Sequence, residues 1–199
     1  MKTKPIRRSN GFTLIELLVV IAIIAVLAGG GFAAGNAAIQ KAKRTTAQAT
    51  CVALEAAVNN FYTEYGTMPV QSSTGSSDPD PIKTDNDDLL KVLLGLETIA
   101  TPLNPRRIKF LSVKNGKNRR DGLVYSNTGT NPSVEGLFDP WGGPYFVQLD
   151  GDYDEKVEPK TNASQKVVLN GRRVAAWSNG ADAAPSGTGG KATDDVKTW

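Results

Sequence analysis

The sequence predicts an α+β protein in which a long N-terminal α-helix packs on a small antiparallel β-sheet domain. The first observation is an almost uninterrupted apolar run over residues 12–34, in which Glu16 is the one ionisable side chain. The second is an apolar stripe at helical spacing between residues 54 and 65. The third is a second half with short alternating stretches and turn dipeptides such as Asn170-Gly171, which are typical of antiparallel strands.

The apolar run at residues 12–34 is long enough, at about 20 residues, to cross a bilayer as a single helix. The residues before Gly11 include four basic side chains and no acid: Lys2, Lys4, Arg7 and Arg8. This asymmetry predicts an N-terminus on the cytoplasmic side, with the remainder of the chain directed outward. A cleaved secretory signal has a shorter apolar core, whereas a plain signal anchor leaves Glu16 unexplained, because a carboxylate in a membrane segment is costly.

A recognisable motif surrounds that carboxylate. The stretch Gly11-Phe12-Thr13-Leu14-Ile15-Glu16, with basic residues before it and apolar residues after it, resembles the cleavage and methylation site of type IV pilins and of the pseudopilins of type II secretion. The resemblance implies that a prepilin peptidase removes a leader of residues 1–11 by cutting between Gly11 and Phe12, and then methylates the new amine of Phe12. It also implies that residues 12–34 stay in the membrane before assembly and then form the core of a filament.

Glu16 has a specific role in this resemblance, because its carboxylate would pair with the Phe12 amine of a neighbouring subunit. A lone carboxylate and a lone ammonium are each costly in hydrocarbon, and the pair relieves both costs while it fixes the axial register. The alternative is that the side chain of Glu16 merely extends to the lipid headgroups.

The long helix is predicted to occupy residues 12–66, with residues 67–199 forming a globular domain. Its second half carries one apolar stripe, which should pack on the sheet. The stripe consists of Leu54, Val58, Phe61, Tyr62 and Tyr65. Gly66 and Pro69 mark the end of the helix, and this end resembles that of the major pseudopilins. Three glycines at 29–31 leave two possibilities, a helix that opens during assembly or close packing of small residues between helices.

The middle of the chain, residues 70–137, matches no motif of that family. Residues 71–88 are polar and predict an exposed loop, followed by a short helix over about 87–96 with an aspartate as its cap. Alternation of apolar and polar residues predicts a strand over residues 108–113. The basic, glycine-containing segment 114–122 predicts a turn.

A further resemblance to the major pseudopilins lies at Asp139-Pro140-Trp141-Gly142, which in that family precedes the first strand of the sheet. Trp141 is predicted to fill part of the core from a turn. A strand should follow over residues 145–149. The dipeptide Asn170-Gly171 should then join strands at 165–169 and 172–177 as a hairpin, because it is a strong two-residue turn signal.

Two segments contain carboxylates at spacings that suggest calcium. In the first, Asp150, Asp152 and Asp154 begin like an EF-hand loop. The sixth and twelfth positions of such a loop require Gly and Glu, whereas this chain has Glu155 and Thr161 there. A turn between strands is therefore favoured for this segment.

The C-terminal segment is the stronger calcium candidate. Ser178-Asn179-Gly180-Ala181-Asp182 and the later pair Asp194-Asp195 resemble the major pseudopilin ending, in which such residues surround a calcium ion. The implied ligands are the carboxylates of Asp182 and Asp194, then Asp195, with backbone carbonyls near Ser178 and Asn179. Ala183 and the length of the intervening insertion depart from the family pattern. The alternative is a polar tail whose carboxylates face water.

Charge and composition narrow the range of functions. The formal charge of the 199 residues is +3, but the leader carries four positive side chains, so the mature side chains sum to −1. Basicity therefore gives no support to nucleic-acid binding. With no histidine and a single cysteine, no catalytic set can be assembled, and no enzyme activity is expected. One cysteine also excludes an internal disulfide, which favours the pseudopilins over the many type IV pilins that close a C-terminal loop in this way.

Together these features predict a structural subunit that polymerises into a periplasmic pseudopilus and drives protein export through type II secretion. The implied partners are further copies of the chain, the prepilin peptidase, the inner-membrane assembly platform and the minor pseudopilins. The chain would cross the inner membrane once, with its C-terminal domain in the periplasm. The alternatives are a subunit of a surface type IV pilus, used for adhesion, motility or DNA uptake, and a membrane-anchored periplasmic enzyme.

Overall fold

The computed structural model describes residues 11–70, 78–85, 87–126, 133–161, 167–184 and 194–199. The chain divides into two compact units, residues 1–41 and residues 42–199. The first unit contains the first part of a long helix, and the second contains the remainder of that helix together with all of the strands.

Two α-helices and eight strands make up the described structure. The helices are α1 (Leu14–Tyr65) and α2 (Asp87–Leu94). The strands are β1 (Ile82–Lys83), β2 (Gly122–Ser126), β3 (Ser133–Phe138), β4 (Tyr145–Leu149), β5 (Lys156–Val157), β6 (Leu169–Asn170), β7 (Val174–Ser178) and β8 (Val196–Lys197). Strands β1, β4, β7 and β8 form an antiparallel sheet in that order, while β2 pairs with β3 and β5 with β6. The predicted α+β class, with a long N-terminal helix and an antiparallel sheet, is confirmed.

In the first unit, α1 exposes its apolar side chains. Leu14 is 82% exposed and Val26 is 76% exposed. The backbone stays helical through residues 29–31 and Gly35, so the glycines do not interrupt the helix in this state. Within the described part of the chain, no helix has a stretch long and apolar enough to cross a membrane.

In the second unit, α1 buries the stripe that its periodicity predicts. Leu54, Val58 and Phe61 are fully buried, and Tyr62 and Tyr65 are partly buried against the same core. Cys51 is also buried as a small apolar residue, and burial raises the pKa of its thiol far above the ordinary value. The helix ends at Gly66, whose N–H donates to the carbonyl of Tyr62 at 2.7 Å and whose positive φ of 71° turns the following chain away from the helix.

The prediction of a strand over residues 108–113 is wrong. The N–H groups of Phe110 and Leu111 both point to the carbonyl of Leu93, at 2.8 and 3.1 Å. The segment is therefore attached to the end of α2, where Leu111 is buried and the ring of Phe110 lies 5.4 Å from that of Phe61. The alternation of apolar and polar residues correctly predicted that one side of this segment is buried. It could not indicate that the backbone of the segment is hydrogen-bonded to the end of a helix and not to another strand.

The exposed loop predicted over residues 71–88 is wrong in its second part. Residues 71–77 lie outside the described residues, but Ile82 and Lys83 form β1 and pair with Val147 and Phe146 of the main sheet. Thr84 is fully buried, and its hydroxyl donates a 2.6 Å hydrogen bond to the carbonyl of Leu137. The short helix that follows, predicted over about 87–96, is confirmed with its end at Leu94.

The hairpin predicted around Asn170-Gly171 is also wrong, although the turn is real. Gly171 adopts a positive φ of 69°, but Asn170 belongs to β6 and pairs with Lys156. Every residue of β7 is buried, and this strand pairs with β4 on one side and with β8 on the other. A fully buried strand belongs in the centre of the sheet, so long-range packing, not the adjacent turn, determines its neighbours.

Candidate functional site

The predicted processing site lies at the start of α1. Gly11 and Phe12 precede the helix, and the side chain of Phe12 is 75% exposed. Thr13 occupies the N-cap position, because its carbonyl accepts the first helical hydrogen bond, from the N–H of Leu17 at 3.3 Å. The peptide bond between Gly11 and Phe12 is therefore outside the regular helix, where its backbone is open to a peptidase.

Glu16 closes a reciprocal cap with Thr13. One carboxylate oxygen of Glu16 accepts hydrogen bonds from the N–H of Thr13 at 2.8 Å and from its hydroxyl at 2.7 Å. The N–H of Glu16 in turn donates to the hydroxyl of Thr13 at 3.3 Å. This is a capping box, and the spacing Thr-x-x-Glu in the sequence is the signal that would have predicted it. The carboxylate thus also stabilises the first turn of the helix.

The Asp139-Pro140-Trp141-Gly142 turn is organised by one buried carboxylate. Oδ1 of Asp139 accepts hydrogen bonds from three successive N–H groups, those of Trp141, Gly142 and Gly143, at 2.7–2.9 Å. Oδ2 accepts a 2.6 Å bond from the hydroxyl of Ser178 at the end of β7. Burial raises the pKa of Asp139, and these hydrogen bonds oppose that rise. Trp141 packs on the core as predicted but stays partly exposed.

The same Ser178 begins the predicted calcium segment. Its hydroxyl accepts a 3.1 Å hydrogen bond from the N–H of Gly180, which has a positive φ of 72°. A Cβ at Gly180 would lie only 2.2 Å from the carbonyl oxygen of Asp194, so glycine is needed for this close approach. The N–H of Asp182 then donates to Oδ2 of Asp194 at 3.2 Å. The structure therefore brings the two ends of the predicted loop together.

The predicted ligands differ in what they contact. Oδ1 of Asp194 is a buried atom that has no hydrogen-bond partner among the described residues. Asp195 lies 3.3 Å from the ammonium group of Lys197. Asn179 precedes the short 3₁₀ turn Gly180–Asp182 and makes no side-chain cap there. Residues 185–193, which include the predicted glycine-rich loop, lie outside the described residues.

The end of the chain is attached to α1 and to the sheet. The side-chain amide of Gln48 donates to the carbonyl of Lys197 at 2.9 Å. Arg172 bridges the carboxylate of Glu55 at 3.2 Å and the carbonyl of Thr198 at 3.1 Å. The ring of Trp199 meets that of Trp177 edge-on, with their centroids 5.8 Å apart. The far end of the predicted calcium segment is thus held by contacts with α1 and with the sheet.

The structure also groups three other carboxylates. Oxygens of Asp78, Asp150 and Asp152 lie within 4.8 Å of one another, and this is the one group of at least three potential metal ligands among the described residues. Asp182, Asp194 and Asp195 do not form such a group. Burial raises the pKa of both Asp78 and Asp150, and the neighbouring carboxylates add to that rise. The sequence spacing indicates that Asp150 and Asp152 lie close together, but only the fold shows that Asp78 joins them.

Comparison with known proteins identifies the N-terminal segment. Residues 6–32 match the family described as the prokaryotic N-terminal methylation motif. No curated protein matches the chain significantly, and no solved structure does. The match covers Gly11, Phe12 and Glu16, and it supports the predicted cleavage by a prepilin peptidase. Together with the N-terminal helix and the antiparallel sheet domain, it supports a type IV pilin-like protein.

Proposed function

We propose that the mature chain is a structural subunit, without enzyme activity, that polymerises into the periplasmic pseudopilus of a type II secretion system. The observation that carries this proposal is the match to the methylation motif over residues 6–32, a range that includes Gly11, Phe12 and Glu16. The partners are copies of the chain, the prepilin peptidase, the inner-membrane assembly platform and the minor pseudopilins. The N-terminal segment holds the subunit in the inner membrane, with the second unit in the periplasm.

Processing is the first step of the proposed function. The peptidase cuts between Gly11 and Phe12 and methylates the amine of Phe12. The new cation then lies next to the capping box of Thr13 and Glu16, where the carboxylate already accepts two hydrogen bonds. During assembly, Glu16 would exchange these contacts for the amine of a neighbouring subunit, because a buried carboxylate in an apolar filament core requires a charged partner.

Two features favour a pseudopilus over a surface pilus. The single cysteine, Cys51, is buried on α1, so no disulfide can close a C-terminal loop. In its place, the C-terminal segment is closed by the contacts of Gly180 and Asp182 with Asp194. A surface pilus used for adhesion, motility or DNA uptake shares the N-terminal motif and is therefore the second candidate.

We further propose that calcium completes this C-terminal closure. Oδ1 of Asp194, a buried atom with no hydrogen-bond partner in the described part of the chain, and the carboxylate of Asp182 offer the hard oxygens that calcium prefers, and carbonyls near Ser178 and Asn179 can add more. The hydroxyl of Ser178 is engaged by Asp139, so its contribution would come from the backbone. Asp195 pairs with Lys197 and would join only as a secondary ligand. The ion would supply charge compensation and hold the loop closed.

The experiment that tests the function is a mass measurement of the N-terminal peptide from the chain in its own membranes. A peptide that begins at Phe12 and is heavier by one methyl group is expected. An intact Met1 would contradict the proposed filament and the pairing of Glu16, and would indicate a plain membrane anchor. Electron microscopy of cells that produce the chain at its natural level then separates the two filament classes. A pseudopilus stays in the periplasm of such cells, whereas a pilus is visible on their surface.

A further inference from the structure

One buried carboxylate joins the turn before β4 to the C-terminal segment. Asp139 and Ser178 are both buried, and Oδ2 of Asp139 accepts the 2.6 Å hydrogen bond from the hydroxyl of Ser178. The calcium ligands named above include the backbone near Ser178, but they do not include Asp139. The hydrogen bond therefore connects the turn to one end of the calcium segment.

The carboxylate of Asp139 is fixed on its other side. Oδ1 accepts the N–H groups of Trp141, Gly142 and Gly143 at 2.7–2.9 Å. A Cβ at Gly143 would lie 3.1 Å from Oδ2, so glycine at that position leaves room for the carboxylate. Three donors on Oδ1 hold the carboxylate in one orientation, and that orientation directs Oδ2 at the hydroxyl of Ser178.

The position of Ser178 also fixes the backbone of the calcium segment. Its hydroxyl accepts the N–H of Gly180 at 3.1 Å. Gly180 approaches the carbonyl of Asp194 so closely that a Cβ there would lie 2.2 Å from the carbonyl oxygen. In the sheet, Ser178 pairs with Val196 of β8, two residues after Asp194. Contacts of Ser178 therefore hold both ends of the segment.

The charge of Asp139 is not balanced by a cation of the described chain. None of the ion pairs among the described residues includes Asp139, although its side chain is almost fully buried. Hydrogen bonds stabilise a buried carboxylate but leave its net charge in place. A divalent cation bound to the carbonyl of Ser178 would be connected to that charge through a single hydrogen-bonded residue.

Asp194 supplies the observation that the segment fits a cation. Its Oδ1 is a buried atom with no hydrogen-bond partner in the described part of the chain, while Oδ2 accepts the N–H of Asp182 at 3.2 Å. An unsatisfied buried carboxylate oxygen is costly, and a calcium ion would satisfy it. The residues present therefore fit the ion, and Asp139 lies one contact behind them.

We propose that Asp139 is a positioning residue of the calcium site, which acts through Ser178 without contacting the ion. It orients the hydroxyl of Ser178, and that hydroxyl holds the backbone at Gly180. Replacing a hydrogen-bonded residue behind a metal ligand typically lowers metal affinity by about 10- to 100-fold. This inference rests on the proposed calcium closure, and it gives the turn before β4 a role in ion binding.

Calcium titration of the full chain in detergent, after bound metal has been removed with EDTA, tests this role. Asp139→Asn keeps an oxygen for the three N–H groups, but it reverses the hydrogen bond to Ser178, because an amide nitrogen can only donate. We expect calcium affinity, measured by isothermal titration calorimetry, to fall at least tenfold. The melting temperature in EDTA should fall by at most about 4 °C, which separates ion binding from a purely structural role.

Asp150→Asn is the matched control. Asp150 is also a buried carboxylate that accepts two backbone N–H groups, but it follows the other end of β4, and no hydrogen bond within the described structure joins it to Ser178. Its calcium affinity should stay within about twofold of the wild type. Equal losses in both variants would indicate an effect of net charge and overturn the positioning role. A loss confined to Asp150→Asn would also overturn it, by assigning the ion to the group of Asp78, Asp150 and Asp152.

Ser178→Ala tests the same contact from its other side, and it serves if the asparagine variant does not fold. Calcium affinity should again fall at least tenfold. Asp139→Asn should cost less affinity in the Ser178→Ala background than it does alone, because the two residues act through one contact. Equal costs in the two backgrounds would show that Asp139 acts independently of Ser178, and would overturn the proposal.

The outcomes separate this inference from the calcium proposal and from the filament. Wild-type calcium affinity in Asp139→Asn overturns the positioning role and leaves the calcium site in place. Absence of calcium binding by the wild type removes both. Neither result bears on the filament, which the mass of the N-terminal peptide tests independently.

Discussion

The two parts of α1 carry similar apolar side chains and expose them to opposite extents. In the first unit, Leu14 and Val26 are 82% and 76% exposed, whereas Leu54, Val58 and Phe61 in the second unit are fully buried. The second part is covered by the sheet domain of its own chain. Exposed apolar surface on this scale marks an interaction with lipid or with other protein. The comparison teaches that the apolar side chains of one helix can be buried by their own domain at one end and left for lipid or for other protein at the other.

The largest expected effect comes from a substitution in the exposed first part of α1. Glu16→Ala removes the carboxylate that would pair with the amine of a neighbouring subunit, and it leaves a buried cation in the filament core. Losing one partner of a buried pair costs about 3–5 kcal/mol. We expect filament yield to fall at least tenfold, as counted by electron microscopy, while membrane insertion is unchanged. Normal filament yield in the variant would remove the ion pair from the assembly.

The second effect concerns the folded end of the same helix. Phe61→Ala empties a fully buried site against Tyr65 and Phe110, and such truncations cost about 3–5 kcal/mol. We expect a large loss in the urea midpoint of the full chain in detergent. Leu18→Ala is the matched control, because Leu18 is 53% exposed and its truncation should change stability by less than about 0.5 kcal/mol. Equal losses in the two variants would contradict the comparison.

The third effect concerns the turn that precedes β4. Asp139→Ala leaves the part-buried N–H groups of Trp141 and Gly143 and the buried hydroxyl of Ser178 without their acceptor, and unsatisfied buried groups are expensive. The N–H of Gly142 keeps the backbone carbonyl of residue 139, at 3.1 Å. We expect a loss of about 2–4 kcal/mol in unfolding free energy, measured by urea titration. A loss below 1 kcal/mol would show that water replaces the carboxylate.

Asp139→Asn is the control for that change, and it adds a pH test. Asparagine can accept the three N–H bonds and donate to Ser178, as a protonated aspartate would, so its cost should stay below about 1 kcal/mol. Burial raises the pKa of Asp139 above its ordinary value of 3.8. The aspartate therefore contributes most stability below pH 3.8 and loses that contribution as the pH rises through its folded-state pKa. The stability of the wild type relative to the asparagine variant should fall from pH 4 to pH 7.

The smallest effect concerns calcium at the C-terminal closure. Removing an ion present at about three times its dissociation constant costs about 0.8 kcal/mol. Because residues 194–199 are also anchored through Gln48 and Arg172, we expect chelation to lower the melting temperature by at most a few degrees. Asp194→Ala should abolish this shift, and Asp152→Ala, outside the segment, should retain it. A melting temperature that EDTA leaves unchanged would rule out the ion.

Local signals were sufficient for the N-terminal part of the molecule. The 3.6-residue periodicity placed Leu54 and Phe61 in the core, and Gly66 marked the end of the helix, because these features depend on neighbours in the sequence. The capping box of Thr13 and Glu16 was also readable from its spacing. The calcium ligands Asp182 and Asp194 were proposed from a resemblance, and the structure brings their loop ends together through Gly180.

Strand pairing and the second carboxylate group were decided by tertiary structure. By itself, the sequence determined the processing motif, the long helix with its buried stripe, the α+β class and the positions of the turns. Only the fold decided that β7 pairs with β4 and β8, that residues 108–113 attach to the end of α2, and that Asp78 joins Asp150 and Asp152. The physical reason is range: caps, periodicity and turns act between residues a few positions apart, whereas sheet pairing and charge clustering depend on which distant segments are buried together.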